Sequence, residues 1–467
     1  MRKMKNNRLT NKKSPQRLRR LIAVIAAGAL TIHGAMSILP SQAYAESADI
    51  SIRNWHPSSV LTVPELKPSW TAQVDNYLKM DEAYSGRHAV AEEGKVFTFA
   101  GSRLIAIDAK TGKRLWSYGK DLKPYLVYDH GVIYGLTADQ RPYAVNAKTG
   151  KLKWQSKTSI LIDARYGTEA LVPTSDTLYA IKGSMTFALD KATGKLRWKM
   201  NEPAGEGNGT DYLHEADGVF LRTFLVQGAL TSIQLNAYDK KTGKKLWEDF
   251  GQGDALQVKD GLVYSVDYYS PLLFDYQSLP DRKLIVNVFN LKTGAKKGTR
   301  EYNWKLSGEP PYQYGGGSSF MTGGKLYIDQ GDKVAEYHFD TYKTGLAPLR
   351  TFQRPYGEEW ELIGLVQERL IFKNRNTGGL AGSKLVNGRV IGWNSDAPAA
   401  QIDVYGKGIY RAQRNGTLLG INLLTAKPVF RVKTGADLHE STLMTNGMII
   451  IQAEGKLLGV KVPASLR

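Results

Sequence analysis

Six histidines lie beyond residue 45: His56, His88, His130, His214, His338 and His439. None is spaced from another as metal ligands are. The chain has no His-Glu-x-x-His, no Gly-x-Ser-x-Gly and no alternating-Asp calcium loop, and Gly315-Gly316-Gly317-Ser318 lacks the lysine and helix of a phosphate loop. No cysteine occurs in 467 residues, which excludes a thiol nucleophile, a thiolate metal site, a disulfide scaffold and a lipoprotein anchor. Binding chemistry is better provided for. Long segments at 201–211, 268–283, 307–317 and 353–360 carry Tyr268, Tyr269, Phe274, Tyr276, Tyr312, Tyr314, Tyr356 and Trp360. Glu202, Glu206, Asp275, Glu309, Glu358 and Glu359 accompany them. Rings with apolar faces beside carboxylates suit recognition of a partner rather than bond chemistry. The expectation is a set of binding residues, with no catalytic residue, no metal and no cofactor.

What must position these segments is a repeat. Counted from Ala106, Asp108 lies at +2, Thr111 at +5, Gly112 at +6 and Trp116 at +10. The offsets return at Ala144 (Asn146, Thr149, Gly150, Trp154), Ala188 (Asp190, Thr193, Gly194, Trp198) and Ala237 (Asp239, Thr242, Gly243, Trp247). Alternating apolar residues before the turn read as a strand. Asp or Asn opens the turn by accepting backbone N–H groups, and Gly supplies the positive φ of a tight connection. A second strand then carries the Trp. The small Ala suggests close approach of a neighbouring sheet, and the Trp fills the gap between twisted sheets, so one hairpin needs its neighbours. An apolar stretch before each hairpin brings the unit to about four strands in roughly 40–50 residues, the period of a propeller blade.

Eight units follow one another at about 86–118, 123–156, 168–200, 210–250, 253–305, 314–353, 359–394 and 399–433. The fifth keeps Asn290, Thr293 and Gly294 but not the Trp, and Trp304 lies further on; the eighth has Ala426 in the Gly slot and Phe430 in the Trp slot. Ser69–Val74 resembles a Trp strand without its hairpin, and the chain stops after two strands, 448–452 and 456–462, that lack one. The two ends are expected to complete one sheet and close a ring, removing exposed edges. In such blades the turns between the third and fourth strands lie on one face of the disc. The connections between the second and third strands, and between blades, lie on the other, so the long segments gather on one face.

Length and charge need the N-terminus set aside. Residues 1–45 hold nine of the 63 basic side chains and none of the 44 acidic ones, so the remainder carries +10 rather than +19. A basic run to Arg20, an apolar core at 21–32 and Ala43-Tyr44-Ala45 form a secretory signal peptide with cleavage after Ala45, an uncleaved anchor being the alternative. Residues 46–68, with Pro57, Pro64 and Pro68, read as an extended lead-in, and 69–467 as the folded domain. Many of the remaining lysines sit in the repeated turns, where a solvated face explains them. An anionic polymer is a second partner class, and nucleic acid is not expected for an exported chain.

The Ala-x-Asp-x-x-Thr-Gly-x-x-x-Trp pattern resembles the pyrroloquinoline-quinone-type (PQQ-like) β-propeller repeat over residues 69–462. It is closer to secreted YxaL-like propellers and the outer-membrane assembly lipoprotein than to quinoprotein dehydrogenases. The resemblance implies an all-β propeller of four-stranded antiparallel blades. Family members usually have eight, which is the number expected here, and the units counted plus the shared closing sheet allow nine. In quinoprotein members it implies a vicinal disulfide against the cofactor, a Trp platform and calcium with a catalytic Asp. With no cysteine, the expected function is a secreted, non-enzymatic monomer, extracellular or cell-wall associated, that binds a protein or an anionic cell-envelope polymer. A divergent PQQ-dependent quinoprotein dehydrogenase is the alternative.

Overall fold

A computed structural model describes residues 61–77, 88–160, 169–203, 209–227, 231–269, 277–312, 316–355 and 359–467. The expected leader and the first part of the lead-in lie outside them. Among the described residues the strands form nine four-stranded antiparallel sheets, the larger of the two counts the sequence allowed. Blades 1 to 8 span 90–118, 122–155, 169–201, 209–250, 252–305, 319–353, 360–393 and 399–433. Blade 9 takes three strands from 443–461 and its fourth, Trp70–Gln73, from the start of the fold, with Trp70 opposite Gly459 and Gln73 opposite Lys456. The ends therefore meet as expected. Nine buried apolar clusters each bridge one neighbouring pair of blades, including 9 and 1, which closes the ring. No helix among the described residues is long and apolar enough to cross a membrane.

The repeat is a clasp between blades. Asp108 Oδ1 accepts from the Thr111 amide and hydroxyl, both at 2.8 Å. This bends the chain so that the carbonyl of the next residue, Ala109, points at the preceding blade and takes the Trp70 indole N–H at 2.8 Å. The same bond runs from Trp116 to Ala147 (3.2 Å), Trp154 to Lys191 (3.0 Å), Trp198 to Lys240 (2.9 Å), Trp247 to Leu291 (2.8 Å) and Trp393 to Leu423 (3.1 Å). Glycine is needed twice over. Gly112, Gly150, Gly194, Gly243 and Gly294 have φ of 68–71°, and a Cβ on any of them would fall 2.3–2.7 Å from the preceding blade's indole. The small slot has a different reason from the one the sequence suggested. Ala106 faces Trp116 across strands of its own sheet, and Gly459 and Gly420 in the same slot lie under the rings of Trp70 and Phe430.

The units that had looked degenerate keep the bond and change the donor. In blade 5 the register position of the Trp holds Gly298. Two residues on, Arg300 donates to the Phe339 carbonyl at 2.5 Å and lies over the rings of Tyr264 and Phe339. In blade 6 Arg350 occupies the Trp position and donates to the Leu385 carbonyl at 2.8 Å. Phe430 in blade 8 has no N–H to give, and the corresponding carbonyl, Val462, accepts from Arg467 at 2.7 and 3.0 Å. Trp304 fills the seam between blades 5 and 6 further along the same strand. The lead-in runs beside blade 8: Leu66 N–H donates to the Arg431 carbonyl and Arg431 N–H to the Pro64 carbonyl. Its Leu61, Val63 and Leu66 pack on the seams either side.

A buried histidine gives the ring a pH dependence. Burial pushes His439 below the ordinary imidazole range. The unfolded chain therefore takes up the proton first. Stability from this side chain is complete above the ordinary pKa of about 6.5 and declines as pH falls below it. His439→Gln is expected to flatten the acid limb of a denaturation-midpoint against pH curve, and an unchanged slope counts against this assignment.

Candidate functional site

Because neighbouring strands are antiparallel, every connection between second and third strands, and between blades, leaves the same face. The described parts of all four long segments do so. On this face, at the seam of blades 4 and 5, the chain passes from the outer strand Lys245–Phe250 to the inner strand Gln252–Lys259 through Gly251 alone. Gly251 has φ 78° and places its carbonyl on the Tyr268 N–H at 2.7 Å. Tyr269 N–H donates to Asp267 Oδ1 at 2.9 Å, and a Cβ on Gly251 would press on the Tyr269 ring at 3.2 Å. The result is a row of rings: Phe250 to Tyr269 at 6.2 Å, Tyr269 to Tyr268 at 5.3 Å edge-on. Phe250 is 56% exposed.

Two carboxylates adjoin the rings along the chain. Burial chiefly raises the Asp249 carboxyl above its ordinary range, with Lys296 opposing and the like charge of Asp267 adding to the rise. Asn287 bridges Gln252 Oε1 at 3.2 Å and Asp267 Oδ2 at 3.4 Å. Burial also raises the Tyr268 hydroxyl. Exposed ring faces with carboxylates beside them in the chain can take a cationic side chain or stack an aromatic one.

The remaining residues singled out in the sequence are distributed as follows. Tyr312 N–H donates to the Gln277 carbonyl at 2.7 Å, tying the link between blades 5 and 6 to the same loop as Tyr268 and Tyr269. Trp360 opens the inner strand of blade 7 and packs in the seam with blade 6, against the cluster of Tyr327, Leu362 and Phe372. Phe274, Tyr276, Tyr314 and Tyr356 lie outside the described residues, as do Glu206, Asp275 and Glu358. Glu202 is buried and spoken for, by Tyr238 Oη at 2.6 Å and Lys245 Nζ at 2.6 Å. Sequence reasoning missed Phe250 and Asp249, which look like an ordinary strand end after Trp247. The available signal was the single-residue link at Gly251, too short to cover that end. On the opposite face two turn lysines are not merely solvated: Lys191 meets Asp129 at 2.6 Å, and Lys240 meets Asp176 at 2.6 Å and Glu215 at 2.5 Å.

The quinone site that the resemblance implies does not fit these residues. There is no cysteine for the vicinal disulfide. The indoles of Trp70, Trp116, Trp154, Trp198, Trp247 and Trp393 are committed to the seams. No group of three or more His, Asp or Glu among the described residues is arranged to hold a metal ion.

A profile of the family described as outer membrane protein assembly factor BamB matches residues 67–234 and 188–341, together more than half of the chain. A quinoprotein ethanol dehydrogenase of Pseudomonas aeruginosa is 31% identical over 162 residues, covering 31% of this chain and 23% of its own. One from Pseudomonas putida is 28% identical over 212 residues, covering 42% of this chain and 27% of its own. The chain thus spans about a quarter of the length of these curated relatives. The crystal structure of BamB from Moraxella catarrhalis matches with a TM-score of 0.44 at 12% identity, over 85% of this chain and 98% of that one.

Proposed function

Because this chain belongs to the PQQ-type repeat propeller family described as outer membrane protein assembly factor BamB, we propose that it is a non-enzymatic scaffold that binds a protein on its long-loop face. The reading rests on one observation: Phe250, Tyr268 and Tyr269 form an aromatic row at the seam of blades 4 and 5, with Asp249 and Asp267 next to them in the chain. The partner segment would place a basic or aromatic side chain there. With the leader at 1–45, the protein acts outside the cytoplasm, in the extracellular space or at the cell wall, as a monomer.

A pull-down from the native secreted fraction tests this. Phe250→Ser/Tyr269→Ser is expected to lower partner recovery about tenfold or more, as loss of central aromatic contacts does, with the denaturation midpoint near that of the parent. Equal recovery by both proteins removes the case for the patch. Recovery of an anionic wall polymer that is released by salt favours the polymer reading, since screening weakens it.

The dehydrogenase relatives support a second reading, a divergent quinoprotein. A stoichiometric chromophore retained after adding the quinone and calcium would favour it over the scaffold.

A further inference from the structure

One seam carries a buried arginine that makes no side-chain hydrogen bond among the described residues. The residue in question lies three places after the second-strand residue that pairs with the turn Asx. In blades 4 and 8 it is an arginine, Arg222 and Arg411. Register makes them equivalent, since Val219 faces Asp239 and Gly408 faces Asn422. Both point at the preceding blade. Phe220 and Phe224, two residues either side of Arg222, belong to the seam of blades 3 and 4, and Ile409 belongs to that of blades 7 and 8.

The terminal nitrogens of Arg222 are satisfied there, while its Nε is enclosed without a partner. Nη1 donates to the Met185 carbonyl at 3.1 Å and Thr186 Oγ1 at 2.7 Å, and Nη2 to the carbonyls of Gly183 and of Thr210, the latter at 3.2 Å. These acceptors come largely from the turn between the second and third strands of blade 3. In blade 7 the matching turn is closed on itself: Asn374 Oδ1 accepts from Asn376 N–H at 2.9 Å and Thr377 N–H at 2.8 Å.

Arg411 is only 4% exposed. Among the described residues its guanidinium makes no hydrogen bond; its Nε is enclosed without a partner, as that of Arg222 is, and the carboxylate that acts on its charge is Asp396, without a hydrogen bond to it. A second guanidinium shares the row. Arg411 faces Leu419, and Leu419 faces Arg431, so all three project toward blade 7. Arg431 is paired with Asp396, on the link between blades 7 and 8, and Gln413 also donates to Asp396, at 3.1 Å. One carboxylate thus answers two guanidinium groups. Burial pushes Arg411 down to about 10, which leaves it cationic at neutral pH. A buried charge of this kind calls for a counter-charge.

We propose that the seam of blades 7 and 8 is a binding site for a small oxyanion, a carboxylate or phosphate group, held by Arg411. The planar fork presents five N–H donors matched to paired oxygens, and none of the five is used. The group would belong to a free anion or to an acidic ligand seated on the long-loop face, where the Asp396 link emerges. The site is three blades from the aromatic patch and stands or falls independently of it.

Calorimetric titration of the full chain with inorganic phosphate, and separately with acetate, tests it against a chloride control of equal ionic strength. One equivalent is expected to bind and to raise the thermal midpoint, because the ligand binds only the folded state. Arg411→Met is expected to abolish binding while its own midpoint, without anion, equals or exceeds that of the parent. Arg411→Lys keeps the charge but not the fork, and should bind at least ~10-fold more weakly. A response to one anion alone supports the site and identifies the group. Unchanged binding by Arg411→Met overturns the assignment. So does the absence of saturable binding by both anions, whichever way the midpoint moves.

Discussion

Trp70→Ala is expected to cost about 3–5 kcal/mol, the range for losing a buried indole, and to open the ring. Three structural roles end together at this position. The Trp70–Gln73 strand is the fourth strand of blade 9, and its pairing with Lys456–Gly459 holds the two chain ends in one sheet. The indole covers Gly459 on its own sheet and Gly112 on the next, each so closely that a Cβ there would overlap it. Its N–H answers the Ala109 carbonyl at 2.8 Å. Removing the ring uncovers Ile105, Ile107 and Leu457 of the cluster between blades 9 and 1. An opened ring also presents strand edges able to pair between molecules. The denaturant midpoint should fall and light scattering should detect association. Trp70→Phe keeps much of the filling and loses the hydrogen bond, with an expected cost of about 1–2 kcal/mol. A monomeric Trp70→Ala protein with the parent's midpoint would show that closure depends on other contacts.

Gly194→Ala should be far more costly than Gly218→Ala, although both residues have positive φ, 70° and 79°. The backbone penalty for a Cβ in this region, about 1–2 kcal/mol, is common to both. At Gly218 nothing lies within 4 Å of the added atom. At Gly194 it would fall 2.3 Å from the Trp154 ring, which is fixed in turn by its bond to the Lys191 carbonyl at 3.0 Å. The indole must leave the seam of blades 2 and 3, so a further loss of about 2–3 kcal/mol is expected, most of what an indole-to-alanine change costs. Tryptophan emission should shift to the red for Gly194→Ala and stay in place for Gly218→Ala. Equal midpoints for the two variants would reduce the turn glycine to a matter of φ alone.

The candidate site was legible in part. Tyr268 and Tyr269 stood out because an aromatic pair in a long segment interrupts the repeat, and topology alone put that segment on the long-loop face. Phe250 and Asp249 did not stand out. In sequence they continue a Trp strand, and whether its end is covered depends on the link that follows and on a loop from the neighbouring blade. Arg411 was invisible for a similar reason. Its equivalent Arg222 has the same strand position and the same facing, and its terminal nitrogens find acceptors largely because the preceding blade's turn supplies them.

Spacing within the chain determined the unit of this protein, its turn chemistry and the meeting of its ends. Those features depend on contacts a few residues apart, on φ at one glycine and on the strand that each terminus lacks. The closure count of nine and the identity of each clasp were settled only by the tertiary structure. A carbonyl between blades accepts an N–H from any side chain that reaches it, so Arg300, Arg350 and Arg467 replace an indole without leaving a pattern in sequence. Which aromatic rings stay exposed, and which arginine goes without a hydrogen bond, likewise depends on neighbours brought together by the ring.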